Sequence, residues 1–141
     1  MKKFDSVWVI DDDPVSNLIC KEFLRRENFY HHLQDYIDPC EGWAEIERLV
    51  KEDRKKLPDV LFLDLNMPDM TGWEFIDRVE TLPEIVQVRM KIVILTSSMN
   101  KHDLLKAKDN HLVKGFISKP ISSGHLHNIW THLQDNTRMV A

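Results

Sequence analysis

The 141-residue sequence has few cysteines and no long apolar run. Its two cysteines, Cys20 and Cys40, have neither a CxxC nor a metal-ligand spacing, so we expect two thiols rather than a disulfide framework or a zinc site. The first apolar run covers only residues 7–10, which is too short for a signal peptide or a membrane span. We therefore expect a cytoplasmic protein that does not bind membranes.

The chain also lacks an excess of positive charge, since its net charge is -4 and its pI is about 5.9. Binding to nucleic acid depends on clustered Lys and Arg, so we do not expect nucleic acid as a partner. No repeat, low-complexity segment or Pro/Gly/Ser-rich linker divides the sequence. We expect a single domain over 1–141, folded from about residue 3 to about residue 133, with a tail over 135–141.

Four short, continuous apolar runs occur, at residues 7–10, 60–63, 92–95 and 115–118. Continuous apolarity with many β-branched residues is typical of strands that are buried on both faces of a parallel sheet. A more polar candidate over 32–37 predicts an edge strand.

Apolar residues recur at helical spacing between the strands, and we expect each set to face the core. The clearest sets are Val15, Leu18, Ile19 and Phe23; Trp43, Ile46, Leu49 and Val50; and Leu126, Ile129, Trp130 and Leu133. Weaker patterns predict helices at about 71–79 and 101–110. Asp13, followed by Pro14, predicts the N-cap of the first helix.

The alternation of strands and helices predicts an α/β fold, a doubly wound five-stranded parallel sheet with helices on both faces. The carboxyl ends of the strands in such a sheet share one edge, and ligands bind there. Polar residues follow four of the strands at this edge. They are Asp11, Asp12 and Asp13; Asp64 and Asn66; Thr96, Ser97 and Ser98; and Lys119.

The acidic residues at this edge indicate a metal site. Clustered carboxylates repel one another unless a cation lies among them, and oxygen ligands favour Mg²⁺ or Mn²⁺. Taken alone, the run from Asp11 to Asp13 is equally well explained as a solvated turn with a helix cap. Asp64 ends a buried strand and needs a partner there. A hydroxyl and an ammonium group nearby can bind phosphoryl oxygens, so the set suits phosphoryl transfer to a carboxylate.

The segments IDDDP, LDLNMPDMTG, LTSS and FISKP resemble, in order, the motifs of the response regulator receiver family. The resemblance extends from about Lys3 to Leu133 and implies a flavodoxin-like sheet with strand order 2-1-3-4-5. It implies a stand-alone receiver of a two-component system, phosphorylated on Asp64 by a sensor histidine kinase or a histidine phosphotransfer protein. Such a receiver is not a turnover enzyme, because it assists only its own phosphorylation and dephosphorylation. It would signal by phosphorylation-dependent protein contact in a phosphorelay, as a monomer or a weak homodimer.

The resemblance also implies how the cation is bound. Asp12 and Asp64 would bind Mg²⁺, or Mn²⁺, directly, together with the main-chain carbonyl of Asn66. Asp11 would act largely through water.

The same resemblance implies the remaining roles at the site. Thr96 matches the switch hydroxyl that reaches the phosphoryl group, and Lys119 matches the lysine that pairs with Asp64 and then with the phosphate. Phe116 occupies the position of the aromatic switch residue, where a purely structural core aromatic is an equal alternative. The peptide bond before Pro120 is expected to be cis.

Two other functions remain open, a hydrolase of the phosphatase or dehalogenase type with an aspartyl nucleophile, and a degenerate receiver that only binds partners. Those hydrolases use an acid two residues after the nucleophile, and Asn66 cannot supply a proton in that role. The complete set of acids, hydroxyl and lysine disfavours the degenerate receiver. Phosphorylation of Asp64 is therefore the expected function.

Overall fold

The computed structural model describes residues 3–98 and 100–134, in which strands and helices alternate. The strands are β1 Phe4–Ile10, β2 Tyr30–Tyr36, β3 Val60–Asp64, β4 Lys91–Thr96 and β5 Val113–Ser118. The helices are α1 Pro14–Arg26, α2 Pro39–Glu52, α3 Gly72–Val79, α4 Glu84–Arg89, α5 Lys101–Asp109 and α6 Ser123–Gln134, with a 3₁₀ turn at Arg54–Lys56. Among the described residues, none of the helices has the length and apolar character that crossing a bilayer requires. The tail predicted over 135–141 lies outside the described residues.

The five strands form one parallel sheet in the order β2-β1-β3-β4-β5, which confirms the predicted topology. Side chains of a strand point alternately to the two faces, so each buried strand contributes to two apolar layers. In β3, Leu61 and Leu63 join the layer covered by α2 to α5, whereas Val60 and Phe62 join the layer covered by α1 and α6. Burial on both faces explains why these strands are continuously apolar.

The prediction that the apolar stripe of α1 faces the core is wrong. Val15 and Leu18 are 64% and 62% exposed, and the buried residues of α1 are Asn17, Cys20 and Leu24. The Asn17 side-chain amide donates to the main-chain oxygen of Asp11 at 3.3 Å, so a polar contact accompanies this rotation of the helix. The stripes predicted for α2 and α6 do face the core.

Several element ends differ from the sequence pattern. Strand β5 begins at Val113 rather than at residue 115, because Val113 pairs with Ile92 of β4. The connection between α3 and β4 contains α4, which the sequence pattern did not predict. Helix α4 buries Val86, and the Gln87 side chain donates to two carbonyls that follow α3. The N-cap predicted at Asp13 is confirmed, since its carboxylate accepts the Val15 N–H at 3.0 Å.

Candidate functional site

The predicted site residues meet at the carboxyl edge of the sheet. Asp11 and Asp12 directly follow β1, Asp64 ends β3, Thr96 ends β4, and Lys119 directly follows β5. The Lys119 N–H donates to the Thr96 carbonyl at 2.8 Å, which ties the last two of these strand ends together. The parallel topology therefore brings together side chains that are far apart in the sequence.

Three carboxylates form an acidic cluster at this edge. Asp11, Asp12 and Asp64 each offer a carboxylate oxygen, and these oxygens lie within 4.8 Å of one another. Burial raises the pKa of Asp64 from 3.8 to about 6, and the charge of Asp11 adds to the shift while Lys119 opposes it. The oxygen-only donor set and its unbalanced negative charge suit a hard divalent cation such as Mg²⁺ or Mn²⁺.

The Asp11 carboxylate is largely occupied by donors from the protein. Its Oδ1 accepts the Asp13 N–H at 3.0 Å, and its Oδ2 accepts the Ser16 hydroxyl at 2.6 Å and the Lys119 ammonium at 2.7 Å. Asp11 is only 1% exposed. Three of the roughly four lone-pair sites of this carboxylate therefore already accept donors from the protein.

Lys119 contacts two of the acids but lies closer to Asp11 than to Asp64. Its Nζ is 2.7 Å from Asp11 Oδ2 and 3.5 Å from Asp64 Oδ1. Burial lowers the pKa of Lys119, but its hydrogen bond with Asp11 and the charge of Asp64 outweigh burial, so the pKa is raised. The pairing with Asp64 was expected, whereas the shorter bond to Asp11 was not. The Lys119–Pro120 peptide bond is cis.

The Thr96 hydroxyl is fully buried and hydrogen-bonded within its own loop. Its Oγ1 donates to the Ser98 carbonyl at 3.0 Å and accepts the Ser98 N–H at 3.2 Å. The hydroxyl is thus held by the loop after β4, and its hydrogen bond to the Ser98 carbonyl must break before it can donate to a group on Asp64.

Phe116 is 7% exposed and packs in the apolar layer that includes Ala107 of α5. On the same side of the sheet, the Trp73 indole N–H donates to Asp103 at 2.9 Å and so links α3 to α5. Lys106 lies over the Trp73 ring, 4.7 Å from its centre. The helix beside Phe116 is thereby connected to the segment that follows Asp64.

Two further residues, Ser16 and Asn17, contact Asp11 and were not predicted as site residues. Ser16 donates to the Asp11 carboxylate, and Asn17 donates to the Asp11 carbonyl. Asn17 lies on the same face of α1 as the buried residues Cys20 and Leu24. A polar residue on that face, one turn after the acidic run, is the sequence feature that indicates a contact with the site.

The backbone around Gly72, in the motif that follows Asp64, leaves no room for a side chain at this position. A Cβ atom at Gly72 would lie 2.6 Å from the carbonyl oxygen of Asp64 and 2.8 Å from the Cα of Leu65. Helix α3 therefore begins in direct contact with the backbone of the candidate phosphoacceptor.

Comparisons with known proteins agree with this geometry. The profile described as the response regulator receiver domain matches residues 7–131. The two-component response regulator ORR26 of rice is 28% identical over 127 residues, which cover 90% of this chain and 20% of that protein. The response regulator Rcp1 of Synechocystis is 23% identical over 106 residues, covering 75% of this chain and 71% of Rcp1.

A solved structure shows the same fold over nearly the whole chain. The two-component response regulator of Cytophaga hutchinsonii superposes with a TM-score of 0.86 at 25% identity, covering 95% of this chain and 99% of that one. The chain spans only 16 to 20% of the length of the rice regulators it matches first. The profile match, the sheet order and the shared fold together place this chain in the response regulator receiver domain family, whose general function is phosphorylation-based signalling.

Proposed function

We propose that this chain is a stand-alone receiver, one domain over 1–141, that accepts a phosphoryl group on Asp64 from a sensor histidine kinase or a histidine phosphotransfer protein. The observation that carries the proposal is the position of Asp64. Its buried carboxylate lies 3.5 Å from the Lys119 ammonium and within 4.8 Å of oxygens from Asp11 and Asp12. A nucleophilic carboxylate, a cation and a metal-binding set are the parts that phosphoryl transfer requires.

The transfer itself needs no further reactant. A carboxylate oxygen of Asp64 attacks phosphorus, the bond between phosphorus and the donor imidazole nitrogen breaks, and the imidazole takes the bonding electron pair. The bound Mg²⁺, or Mn²⁺, would neutralise charge on the phosphoryl oxygens. Asp12, Asp64 and the main-chain carbonyl of Asn66 would hold the ion, and Asp11 would contact it through water.

Lys119 acts on the phosphoryl group during its transfer, and Thr96 acts on it once it is bound to Asp64. The ammonium of Lys119 turns from Asp11 toward a phosphoryl oxygen, where it offsets negative charge. The Thr96 hydroxyl leaves Ser98 and donates to another phosphoryl oxygen, which moves the loop before α5. Phe116 packs beneath α5, and its burial transmits the change to the surface around this helix.

The phosphodonor would approach along α1. The apolar residues Val15, Leu18 and Ile19 are exposed on α1, which begins two residues after Asp12. Val15 and Ile19 also line a cavity of about 280 Å³ that includes Lys119 and Pro120. An apolar surface next to the reacting carboxylate suits a partner that must bind briefly and place its histidine against Asp64.

The output would be phosphorylation-dependent contact with a downstream protein, without binding to nucleic acid or membranes and as a monomer or weak homodimer. Both cysteines are free thiols, which supports the cytoplasm as the compartment. Rcp1, also described as a response regulator, matches this chain over most of its own length, which supports the stand-alone form.

Intact-mass measurement with a small phosphodonor and Mg²⁺ tests the proposal. Wild-type protein should gain one phosphoryl group, whereas Asp64→Asn and wild-type protein with a chelator should gain none. Asp69→Asn, in the same loop but exposed, is the matched control and should behave as wild type. An unchanged wild-type mass, or phosphorylation that persists in Asp64→Asn, would contradict the proposal.

A phosphate-release assay on the same protein sample distinguishes a receiver from a hydrolase. Release of many equivalents of phosphate from small phosphate esters would support a turnover enzyme, and a single slow equivalent supports the switch. Asn66 offers no proton for a turnover reaction, so we expect the single equivalent.

A further inference from the structure

Oδ2 of Asp11 is shared by two donors at short distance. Ser16 Oγ lies at 2.6 Å from it and Lys119 Nζ at 2.7 Å. Because Asp11 is almost fully buried, water cannot readily take the place of either donor. Ser16 and Lys119 therefore share the negative charge of one carboxylate oxygen.

The position of Ser16 relative to Asp11 is fixed by the start of α1. The Asp13 carboxylate accepts the Val15 N–H at 3.0 Å, and the Asp13 carbonyl accepts the Asn17 N–H at 2.9 Å. The Asn17 side chain donates to the Asp11 carbonyl from the same turn of helix. The Ser16 hydroxyl is thus presented to Asp11 by backbone that is anchored on both sides of it.

Lys119 must leave Asp11 to serve a phosphoryl group on Asp64. It lies 2.7 Å from Asp11 and 3.5 Å from Asp64, so its stronger contact is with the acid that does not accept the phosphoryl group. A hydroxyl that donates to the same Asp11 oxygen withdraws charge from it and weakens its attraction for the ammonium.

We propose that Ser16 is a positioning residue, which through Asp11 sets how readily Lys119 moves toward the phosphoryl group. This role rests on the proposed function, since it concerns the phosphorylation of Asp64. Without the hydroxyl, Asp11 retains Lys119 more tightly, and phosphorylation is slower although the acidic cluster and the fold remain.

The rate constant of phosphorylation by a small phosphodonor, at saturating Mg²⁺, tests this role. Ser16→Ala should be slower by roughly tenfold, as expected for the loss of one hydrogen bond to a charged group, and Ser16→Thr should regain most of the rate. Ser6→Ala, at the opposite end of β1, is the matched control and should have the wild-type rate. Free energies of unfolding establish that the variants are folded.

The same substitution in a Lys119→Ala protein distinguishes an effect of Ser16 on Lys119 from a general effect on the structure. If Ser16 acts through Lys119, Ser16→Ala should cause no further slowing in a Lys119→Ala protein. Equal slowing in both backgrounds, or a wild-type rate for Ser16→Ala, would overturn the proposal.

A measurement without metal or phosphodonor tests the contact itself. The ¹⁵N resonance of the Lys119 ammonium, identified by its loss in Lys119→Ala, should shift in Ser16→Ala and stay unchanged in Ser6→Ala. An unshifted resonance in Ser16→Ala overturns the role of Ser16 even if wild-type protein is phosphorylated. If the resonance shifts in Ser16→Ala but the wild-type protein accepts no phosphoryl group, the proposed function is contradicted instead.

Discussion

At the scale of single residues, the acids of the site differ in what surrounds them. Asp11 is occupied by the donors Asp13, Ser16 and Lys119, whereas Asp64 has Lys119 at the longer distance of 3.5 Å. Burial raises the pKa of Asp64 to about 6, although the charge of Lys119 and a main-chain hydrogen bond from Asn66 oppose the shift. The residue proposed to react is therefore one whose ionisation the fold disfavours.

The raised pKa of Asp64 predicts a dependence of stability on pH. A carboxyl group with a higher pKa in the folded than in the unfolded chain stabilises the fold fully below its unfolded value, and this contribution is lost as the pH rises through its folded value. That window runs from about 4 to about 6 for Asp64. In metal-free buffer, Asp64→Asn should therefore increase the free energy of unfolding at pH 8 by about 1 to 2 kcal/mol, allowing for screening at the edge of the sheet.

Urea unfolding at pH 4 and pH 8, with a chelator present, measures this difference. The gain from Asp64→Asn should be small at pH 4, where Asp64 is protonated in the folded protein. Asp69→Asn should show no such dependence. An equal gain at both pH values would mean that the charge of Asp64 is not what limits stability.

At the scale of elements, the first turns of α1 are held by polar contacts, while Cys20 and Leu24 pack in the apolar layer. Asp13 caps the helix, and Ser16 and Asn17 bind Asp11 from its first turns. This rotation leaves Val15 and Leu18 exposed, and Val15 lines the same cavity as Lys119. The helix that contacts Asp11 therefore also carries the exposed apolar surface that we propose for the phosphodonor.

Leu18→Asp should slow phosphoryl transfer from a partner histidine by roughly tenfold or more, because a charge replaces apolar contact area at the proposed interface. Phosphorylation by a small phosphodonor should be unaffected, and the free energy of unfolding should change by no more than about 0.5 kcal/mol for so exposed a position. The two rates can be compared on the same preparation, with a phosphorylated histidine phosphotransfer protein as donor.

Val88→Asp is the matched control, since Val88 is 72% exposed on α4, which precedes the amino end of β4. It should leave both transfer rates unchanged. Equal slowing of Leu18→Asp with the small phosphodonor would place the defect in the site rather than in the interface.

At the scale of the whole molecule, one edge of the sheet concentrates negative charge that the fold does not neutralise. Three carboxylate oxygens within 4.8 Å repel one another, and Lys119 supplies one positive charge among them. A cation bound there relieves the repulsion in the folded protein only, because the unfolded chain does not bring these acids together.

Mg²⁺ should therefore raise the midpoint of thermal unfolding, with an increase that grows with its concentration. Scanning calorimetry with and without Mg²⁺ measures it. Asp12→Asn should abolish most of the increase, whereas Asp69→Asn should retain it. An increase of wild-type size in Asp12→Asn would show that the ion binds elsewhere.

The sequence alone determined the sheet and the edge that carries the site. Strands buried on both faces must be continuously apolar, so four of them were visible as runs, and parallel topology then placed Asp11, Asp64, Thr96 and Lys119 at one edge. Asp13 was identifiable as a cap because capping depends on near neighbours in the chain.

Only the tertiary structure decided which groups are in contact within that edge. Lys119 binds Asp11, 108 positions away, more closely than Asp64, and local pattern carries no information about such a distance. The rotation of α1 was misjudged for the same reason, because its apolar residues fit a helical stripe but Asn17 finds its partner on the Asp11 backbone. Periodicity records which residues share a face, and contacts between distant segments decide which face is buried.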